Sequence, residues 1–500
     1  MRQIQNRSVS RIAVSATVTT AALAMFASAA HADQTPLSDE SSVNQVVGAP
    51  AAWSSGADGH GIDVALVDTG VTPVPGLSAP NKLVYGPDLS FDSQDPNSAY
   101  LDGYGHGTAL AGIIAGNDGT SGGYQGVAPN SRIVSVKVGA TTGAADVSQI
   151  IAGIDWVTQH AHDPGYNIRV LNLSLGTDSM QSYQLDPLAH AAEVAWRHGI
   201  VVVVSAGNDG TTTNSVADPA DDPYVLTVGA EDPRGTIATS DDTVASFSQR
   251  GNGSRRPDLV APGAYIYGLL SPGSTLARQY PNAVFGGRFL RGSGTSQAAA
   301  IVSGVAADLL SVRPNLSPDQ VKTILTSTAT RIATSNPNYV GAGLVQASAA
   351  INASTPLFAA QTYVASAGTG TLEQARADNH VALNGVTLTG EQDIFGHAWA
   401  TPVISAEEET ASAWVGGVFN GSTWSGSTWS SALWNGSTWS GSTWSGSTWS
   451  GSTWSGSTWS GSTWSGSTWS GSTWSGSTWS GSTWSGSTWS SAWWMGATWN

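Results

Sequence analysis

Short apolar runs alternate with helical stretches from residue 61 to about residue 351, and this order constrains the fold more than any other feature of the sequence. The first run, residues 62–67, is brief enough for a strand that is buried on both faces. Further strands are predicted at 133–138, 170–175, 200–205 and 225–228, and helices at 109–115, 147–160 and 188–198. The alternation predicts an α/β fold, a three-layer domain with a mainly parallel central sheet and helices on both faces.

The chain has few charged residues, and most of them are acidic. The 500 residues include 35 acidic and 19 basic side chains, for a formal net charge of -16. Binding of nucleic acid by counterion release needs a basic surface, so we expect no nucleic-acid partner. Cysteine is absent, which excludes disulfides, thiolate metal sites and a cysteine nucleophile.

The N-terminus has the pattern of a secretory signal peptide. Arg2, Arg7 and Arg11 precede an apolar run at 12–29, and Ala30-His31-Ala32 is a small-x-small cleavage site. We therefore expect residues 1–32 to be removed, and the mature protein to be secreted, soluble and free of the membrane.

Four segments are predicted after the signal peptide. Residues 33–47 are an N-terminal segment, and residues 48–351 form one large domain whose last long helix is predicted to start with a capping box at residues 317–320. Residues 352–410 are a linker or a small β-rich module, and both remain open. Within this segment two runs are strand-like, 381–383 and 386–388.

Residues 411–500 repeat every five residues, and thirteen units read Gly-Ser-Thr-Trp-Ser. A five-residue period makes no stripe on a helix, and glycine recurs in most units. A coil that turns at each glycine would stack into a β-solenoid, with the irregular units 411–420 and 491–500 as caps. The alternative, a disordered low-complexity tail, remains open. Rows of tryptophan on an uncharged polar frame suit stacking on sugars, so we predict contact with cell walls or polysaccharides, with self-association left open.

Three polar residues stand where predicted strands end or helices begin. Asp68 follows the first strand, His106 opens a helix, and Ser296 lies in a glycine-rich turn before an apolar helix. A serine becomes nucleophilic when a histidine takes its proton and a carboxylate holds that histidine, so this set suits acyl transfer. Each also has a structural interpretation, as a turn, a helix start or a helix cap. Asn208 follows a valine-rich strand, and its side-chain N–H could donate a hydrogen bond to an oxyanion. The alternative is that Asn208 is simply part of an Asn-Asp-Gly turn.

Short motifs surround these residues in a fixed order along the chain. They are Asp68-Thr69-Gly70, Gly105-His106-Gly107-Thr108, Ala206-Gly207-Asn208, Asp258-Leu259-Val260-Ala261-Pro262-Gly263 and Gly294-Thr295-Ser296. In type and order they resemble the subtilisin-like serine proteases, over about residues 48–351. The resemblance implies a subtilisin-like fold and a secreted serine endopeptidase that acts on protein or peptide substrates.

The resemblance also implies a role for each matched residue. Ser296 is expected to be the nucleophile, His106 the general base and then the general acid, and Asp68 the group that orients His106. Asn208 and the backbone N–H of Ser296 are expected to form the oxyanion hole.

A peptide-binding segment is implied in the same way. The substrate backbone is expected to pair with Ser174-Leu175-Gly176 and with Ala206-Gly207 opposite, as in strand addition. By register with the family, Ala217 lies near the floor of the pocket for the residue before the scissile bond. No buried charge is expected beside Ala217, so we predict a preference for apolar side chains there.

The chain departs from the family's pattern at several positions. It has Ala109, Gln297 and Ala300 where the family usually has histidine, methionine and proline. Ala109 lies outside the triad, and Gln297 removes an oxidation-prone thioether. Ala300 removes a helix kink, which is expected to shift Ser296 slightly and alter the rate. The segment 33–67 is too short for the inhibitory pro-domain of many secreted members, so we expect folding without one, or control elsewhere.

An acidic loop raises the question of a metal ion. It holds Asp88, Asp92, Asp95 and Asp102, and some relatives bind calcium. The spacing matches no calcium-ligand pattern. We expect a solvated loop and no metal or other cofactor, with structural calcium left open.

Two other functions stay open at this point. In one, the tail makes this a surface-binding or structural protein, and the protease domain is a weakly active passenger. In the other, the serine serves an esterase or lipase, although those folds order the triad Ser, Asp, His and use a Gly-x-Ser-x-Gly turn. The set Asp68, His106, Asn208 and Ser296 favours the endopeptidase.

Overall fold

A computed structural model describes residues 40–423, except residues 94, 96, 333–335 and 384–385, and short strands between residues 438 and 499. Before the repeats, its strands are β1 (Asp63–Asp68), β2 (Leu83–Asp88), β3 (Arg132–Lys137), β4 (Ile168–Leu173), β5 (Val201–Ser205), β6 (Leu226–Asp232), β7 (Thr243–Val244), β8 (Leu259–Pro262), β9 (Ile266–Leu269), β10 (Val284–Phe285), β11 (Phe289–Gly292), β12 (Ala382–Leu383), β13 (Val386–Thr387), β14 (Val418–Phe419) and β15 (Ser422–Thr423). Its helices are α1 (Glu40–Val46), α2 (Ala49–Trp53), α3 (His106–Ala115), α4 (Val147–His160), α5 (Pro187–Arg197), α6 (Thr275–Gln279), α7 (Thr295–Val312), α8 (Pro318–Ser327), α9 (Pro337–Val340), α10 (Ala347–Asn352), α11 (Leu372–Arg376) and α12 (Thr401–Glu409), with a 3₁₀ turn at Pro281–Ala283.

The central sheet is parallel in all but one pairing. Its strands lie in the order β2-β3-β1-β4-β5-β6, and β6 also pairs with β8 in parallel and with β7 in antiparallel. Every residue of β1 and β5 is buried, as expected for parallel strands covered on both faces. Two groups of helices pack against this sheet, α3 with α7 and α4 with α5. The predicted α/β fold with a mainly parallel sheet is confirmed.

Local signals place the helix starts. The Asp146 side chain caps α4 and Gln149 reaches back to the backbone N–H of Asp146, which completes a capping box. The capping box predicted at the start of α8 is confirmed, since the Ser317 hydroxyl accepts from the N–H of Gln320 and the Gln320 side chain accepts from the N–H of Ser317. These side chains satisfy N–H groups that the first helical turn leaves unpaired.

The sequence prediction misses β2 and the short strands β8 to β11. β2 lies at the edge of the sheet, and Leu83, Val84 and Tyr85 are only partly buried. Gly86 and Pro87 within it are residues that normally interrupt strands. Such an edge strand lacks the continuous apolar run that marks the central strands.

Helix α7 is the core helix of the domain. Among the described residues it alone is long and apolar enough to span a bilayer, but 89% of it is buried inside the protein. It packs against β4, β5, β6 and β8 as well as α3. Its apolar character therefore belongs to the interior of the fold.

Residues 352–423 pack onto the body of the domain. The segment carries α11, α12 and two short hairpins, so helices account for more of it than strands do. Trp414 is buried and its indole N–H donates to the carbonyl of Ala152 in α4. Gln159 exchanges two hydrogen bonds with the Trp414 backbone, and Phe419 packs on the Trp414 ring. The first aromatic residues of the predicted tail thus belong to the packed core.

Both ends of the chain are described only in part. The predicted signal peptide, residues 1–32, and residues 33–39 lie outside the described residues. In the repeats, short strands pair in parallel with strands twenty residues further along, so that Trp439, Trp459, Trp479 and Trp499 are register partners. The connections between these strands lie outside the described residues, and the solenoid therefore stays a prediction.

Candidate active site

The carboxyl ends of adjacent parallel strands bring the predicted polar residues to one edge of the sheet. β1 ends at Asp68, β4 leads into Ser174-Leu175-Gly176, and β5 leads into Ala206-Gly207-Asn208. These strands are direct neighbours, so the three segments lie side by side. Open α/β sheets bind their ligands at this edge.

His106 and Asp68 form a buried hydrogen-bonded pair. Helix α3 begins at His106, whose Nδ1 lies 2.8 Å and 2.9 Å from the two carboxylate oxygens of Asp68. Glycine is needed at residue 107, because a Cβ there would lie 2.2 Å from the carbonyl oxygen of Gly70. With its proton on Nδ1, a neutral imidazole has Nε2 free to accept another.

Asp102 holds the start of this helix, and the sequence analysis missed that role. Its buried carboxylate accepts hydrogen bonds from the backbone N–H groups of Gly105 and Thr108 and from the hydroxyl of Thr69. It therefore caps the first turn of α3 from outside the helix. The signal available was an aspartate three residues before the glycine that precedes His106.

The expected solvated acidic loop is wrong for two of its four aspartates. Asp88 and Asp102 are both only 2% exposed, whereas Asp95 is exposed. Lys137, buried at the end of β3, donates to Asp92 at 2.9 Å and to two carbonyls of the loop. A lysine ammonium thus balances part of the negative charge, which the spacing of the aspartates does not reveal. Within the described ranges, no three acidic, histidine or cysteine side chains are arranged to hold a metal ion.

The electrostatics of the pair favour proton uptake by His106. Burial by itself lowers the pKa of His106, but the charge and hydrogen bond of Asp68, with the charge of Asp102, raise that pKa above its usual value. Burial also raises the pKa of Tyr104 to about 12, and the charges of Tyr280, Asp68 and Asp102 contribute in the same direction. The Tyr104 phenol therefore stays protonated at neutral pH, whereas His106 is the member of this group that is suited to exchange a proton.

Ser296 lies in the first turn of α7, where backbone N–H groups are unpaired and the helix dipole is positive. Its Oγ donates to the carbonyl oxygen of Ser174 at 3.2 Å rather than to His106. The nucleophile candidate thus contacts the predicted peptide-binding segment directly. Catalytic hydrogen bonds are often loose in the absence of substrate and tighten when it binds.

Asn208 is anchored through one end of its amide. Its Oδ1 accepts from the backbone N–H of Thr295 at 2.8 Å and from the Thr295 hydroxyl at 3.0 Å. Its Nδ2 donates to no described residue. A free amide N–H is thereby held beside the N-terminus of α7, next to Ser296.

The three residues that depart from the family's pattern, Ala109, Gln297 and Ala300, are all buried. Ala300 lies buried within an uninterrupted α7, and Ala109 packs closely on Gly268 of β9. Gln297 is buried, and its Oε1 has no hydrogen-bond partner among the described residues. That oxygen would lie 2.8 Å from a Cβ placed on Gly294, so the amide folds back over the glycine-rich turn.

Ala217 lies between the two predicted peptide-binding segments. A Cβ placed on Gly176 or on Gly207 would lie 3.3 Å from the Ala217 Cβ in either case. The residue that follows Ala217 is an acid, Asp218, which is 1% exposed. Burial, with the charges of neighbouring aspartates, raises the pKa of Asp218 well above its usual value, which favours the neutral carboxyl over a buried charge. That no buried charge lies beside Ala217 therefore stays a prediction.

Comparisons with known proteins agree with this geometry. Residues 59–343 match the model of the subtilase family. The chain is 39% identical over 296 residues to serine protease AprX of Bacillus subtilis (strain 168), and the alignment covers 58% of this chain and 66% of that protein. It is 36% identical over 299 residues to subtilisin DY of Bacillus licheniformis, with 59% of this chain and 93% of that protein covered. The crystal structure of fervidolysin from Fervidobacterium pennivorans, a keratinolytic enzyme related to subtilisin, superposes with a TM-score of 0.52 at 31% identity, over 63% of this chain and 46% of that one. The aligned part thus spans just under two thirds of AprX and under half of fervidolysin.

Proposed function

The chain belongs to the subtilase family, and on that premise we propose that it is a secreted endopeptidase that hydrolyses peptide bonds through Ser296, His106 and Asp68. Family membership makes residues 59–343 a subtilisin-like serine endopeptidase domain. The roles of the individual residues are the proposal. The observation that carries it is the buried hydrogen bond of 2.8 Å between His106 and Asp68, beside the helix that begins with Thr295-Ser296.

The proposed reaction follows from these positions. The Ser296 oxygen attacks the scissile carbonyl carbon while His106 Nε2 takes the hydroxyl proton, and Asp68 stabilises the resulting imidazolium. The oxyanion accepts hydrogen bonds from Asn208 Nδ2 and from the backbone N–H of Ser296. The C–N bond then breaks as His106 returns the proton to the leaving amine, and water repeats the sequence on the acyl-enzyme. Side chains and backbone supply every group in these steps, and we propose no cofactor.

Covalent labelling tests the proposal directly. A fluorophosphonate probe reacts with an activated serine, so it should label the mature protein at Ser296, and Ser296→Ala should abolish the labelling. An unlabelled wild-type protein would favour the passenger alternative, in which the tail carries the function.

The pH dependence of activity follows from the raised pKa of His106. His106 must be neutral to accept the Ser296 proton, so kcat/KM should rise with pH through a midpoint above about 6.5, the ordinary value for histidine. The measurement is a pH profile of peptide hydrolysis, with the rate of fluorophosphonate labelling as an independent readout of the same midpoint. A midpoint at or below that ordinary value would contradict the assignment. Because the pKa of His106 is higher in the folded than in the unfolded chain, protonated His106 also stabilises the fold. This contribution is complete below the pKa of the unfolded chain and is lost as the pH rises through the pKa of the folded chain.

Apolar residues before the scissile bond should be preferred. The Ala217 methyl group lies between Gly176 and Gly207, and burial raises the pKa of the adjacent Asp218 well above its usual value, which disfavours a negative charge at this position. We expect cleavage after leucine to exceed cleavage after lysine by about tenfold or more in kcat/KM in a peptide library. Equal cleavage after the two residues would refute the preference. Ala217→Asp, which adds a carboxylate to the floor, should shift the ratio towards lysine.

Secretion and surface attachment complete the proposal. Residues 1–32 have the charge and apolar pattern of a signal peptide, and residues 424–500 carry most of the tryptophan repeats. We propose that these repeats bind cell walls or polysaccharides by stacking on sugar rings.

Truncation tests the role of the repeats. The cut should follow residue 423, because Trp414 and Phe419 pack in the core. Deletion of residues 424–500 should leave hydrolysis of a small peptide within about twofold, because no described contact of the active site involves the deleted residues. Retention on isolated cell walls should be lost. Unchanged retention would refute the attachment role.

A further inference from the structure

Two loops flank the carboxyl end of β1, and the second of them forms one side of the proposed peptide-binding cleft. β3 and β4 flank β1 in the sheet, so the loops that follow them, residues 138–146 and 174–178, lie on either side of the carboxyl end of β1. The first loop also packs on Tyr104, two residues before His106, since a Cβ on Gly143 would lie 2.8 Å from the Tyr104 ring. The second loop contains the predicted strand-pairing segment.

Two consecutive residues of the C-terminal segment contact both loops. The guanidinium of Arg376 donates to Asp146 at 2.7 Å and 3.2 Å, at the end of the first loop, and both side chains are fully buried. The carbonyl oxygen of Ala375 accepts from the hydroxyl of Thr177 at 2.7 Å, in the second loop. Arg376 is fixed in turn by the carbonyls of Gly390 and Gln392.

Neighbouring contacts extend this attachment beyond the second loop, towards α5. The side-chain amide of Gln181 exchanges hydrogen bonds with the backbone of Thr371, and the N–H of Gly370 donates to the carbonyl of Leu185. The C-terminal segment is therefore attached at several points to the chain between β4 and α5.

We propose that Ala375 and Arg376 form a clamp that sets the spacing of the two loops, and so positions the cleft for peptides that extend several residues before the scissile bond. The inference rests on the proposed endopeptidase function and adds a positioning role for a segment outside the family match at 59–343. An extended substrate pairs its backbone with the edges of the cleft, so it depends on the loops being held ready. A small ester engages only the nucleophile and the adjacent pocket, so it makes fewer backbone contacts with the second loop and should depend less on the clamp.

The Thr177 hydroxyl offers the cleanest test, because the Thr177 backbone keeps its two hydrogen bonds to Asp218 whatever the side chain. Thr177→Val removes the 2.7 Å hydrogen bond to Ala375 and a longer one, 3.5 Å, to the Asp218 carboxylate. In this variant kcat/KM for an internally quenched octapeptide should fall by about fivefold to tenfold through KM, mainly from the loss of the shorter bond. Hydrolysis of an N-acetylated single-residue ester should stay within about twofold. Thr177→Ser, which keeps the hydroxyl, should restore octapeptide hydrolysis.

A matched control removes a different contact between the C-terminal segment and the rest of the domain. Glu409 of α12 pairs with Arg197 of α5 through two hydrogen bonds. Glu409→Gln should leave kcat/KM unchanged for both the octapeptide and the ester. The clamp is refuted if Thr177→Val leaves octapeptide hydrolysis unchanged, if ester and octapeptide fall together, or if Thr177→Ser behaves like Thr177→Val. Failure of the wild-type protein to hydrolyse either substrate would instead refute the proposed function.

Discussion

Replacing Ser296 with alanine is expected to lower kcat for peptide hydrolysis by about 10⁴-fold or more, because the triad acts as a unit around its nucleophile. The substrate should still bind, so KM should change little. Adding His106→Ala to Ser296→Ala should cause almost no further loss, since a base without a nucleophile has nothing to activate. The measurement is steady-state hydrolysis of an internally quenched peptide by the purified mature chain.

Ser293 provides a matched control within the same glycine-rich turn. Its hydroxyl accepts a hydrogen bond from the backbone N–H of Tyr265 and takes no part in the proposed triad. Ser293→Ala should therefore keep kcat within about threefold of the wild-type value. If Ser293→Ala and Ser296→Ala lose activity alike, the loss reflects the turn and not a nucleophile at residue 296.

The central part of the fold and its polar residues are predictable from the sequence for one physical reason. Parallel strands covered on both faces must be continuously apolar, so a polar residue directly after such a strand stands out. Asp68 after β1 and Asn208 after β5 are visible in this way. The predicted strand at 62–67 differs from β1 by one residue at each end, which is the uncertainty expected of element boundaries.

Other parts of the site depend on contacts that no local pattern encodes. Asp102 looks like an ordinary residue of a charged loop and Lys137 like an ordinary lysine at the end of a strand, but both are buried and hold the loop and helix α3 in place. The orientation of the Ser296 hydroxyl towards Ser174 depends on the packing of α7 against β4, two elements that are far apart in sequence. Residue type and spacing predict which groups are available, whereas these long-range contacts decide how each group is directed.

The C-terminal segment illustrates the same limit. Residues 352–410 are mixed in composition, so their pattern leaves a linker and a small module equally open. Arg376 lies in this segment and is nevertheless 0% exposed, which is rare for arginine without a paired acid. Its partner Asp146 is far away in sequence and already serves as a helix cap. Only the folded structure brings the pair together.

Replacing Arg376 with methionine is expected to lower the free energy of unfolding by about 3–5 kcal/mol. The substitution keeps a long apolar stem but leaves the Asp146 carboxylate buried without its cation, and two backbone carbonyls lose their donor. The measurement is equilibrium unfolding in urea, carried out in the Ser296→Ala background so that self-digestion does not interfere.

Two further variants separate a buried charge from a general loss of contact. Glu409→Gln breaks a partly exposed ion pair on the same C-terminal segment, and it should cost less than about 1 kcal/mol because water screens that pair. Asp146→Asn added to Arg376→Met should recover part of the loss, since no unpaired charge then remains buried. Equal losses for Arg376→Met and Glu409→Gln would contradict the argument from burial. A double variant less stable than Arg376→Met alone would show instead that the cap of α4 matters more than the ion pair.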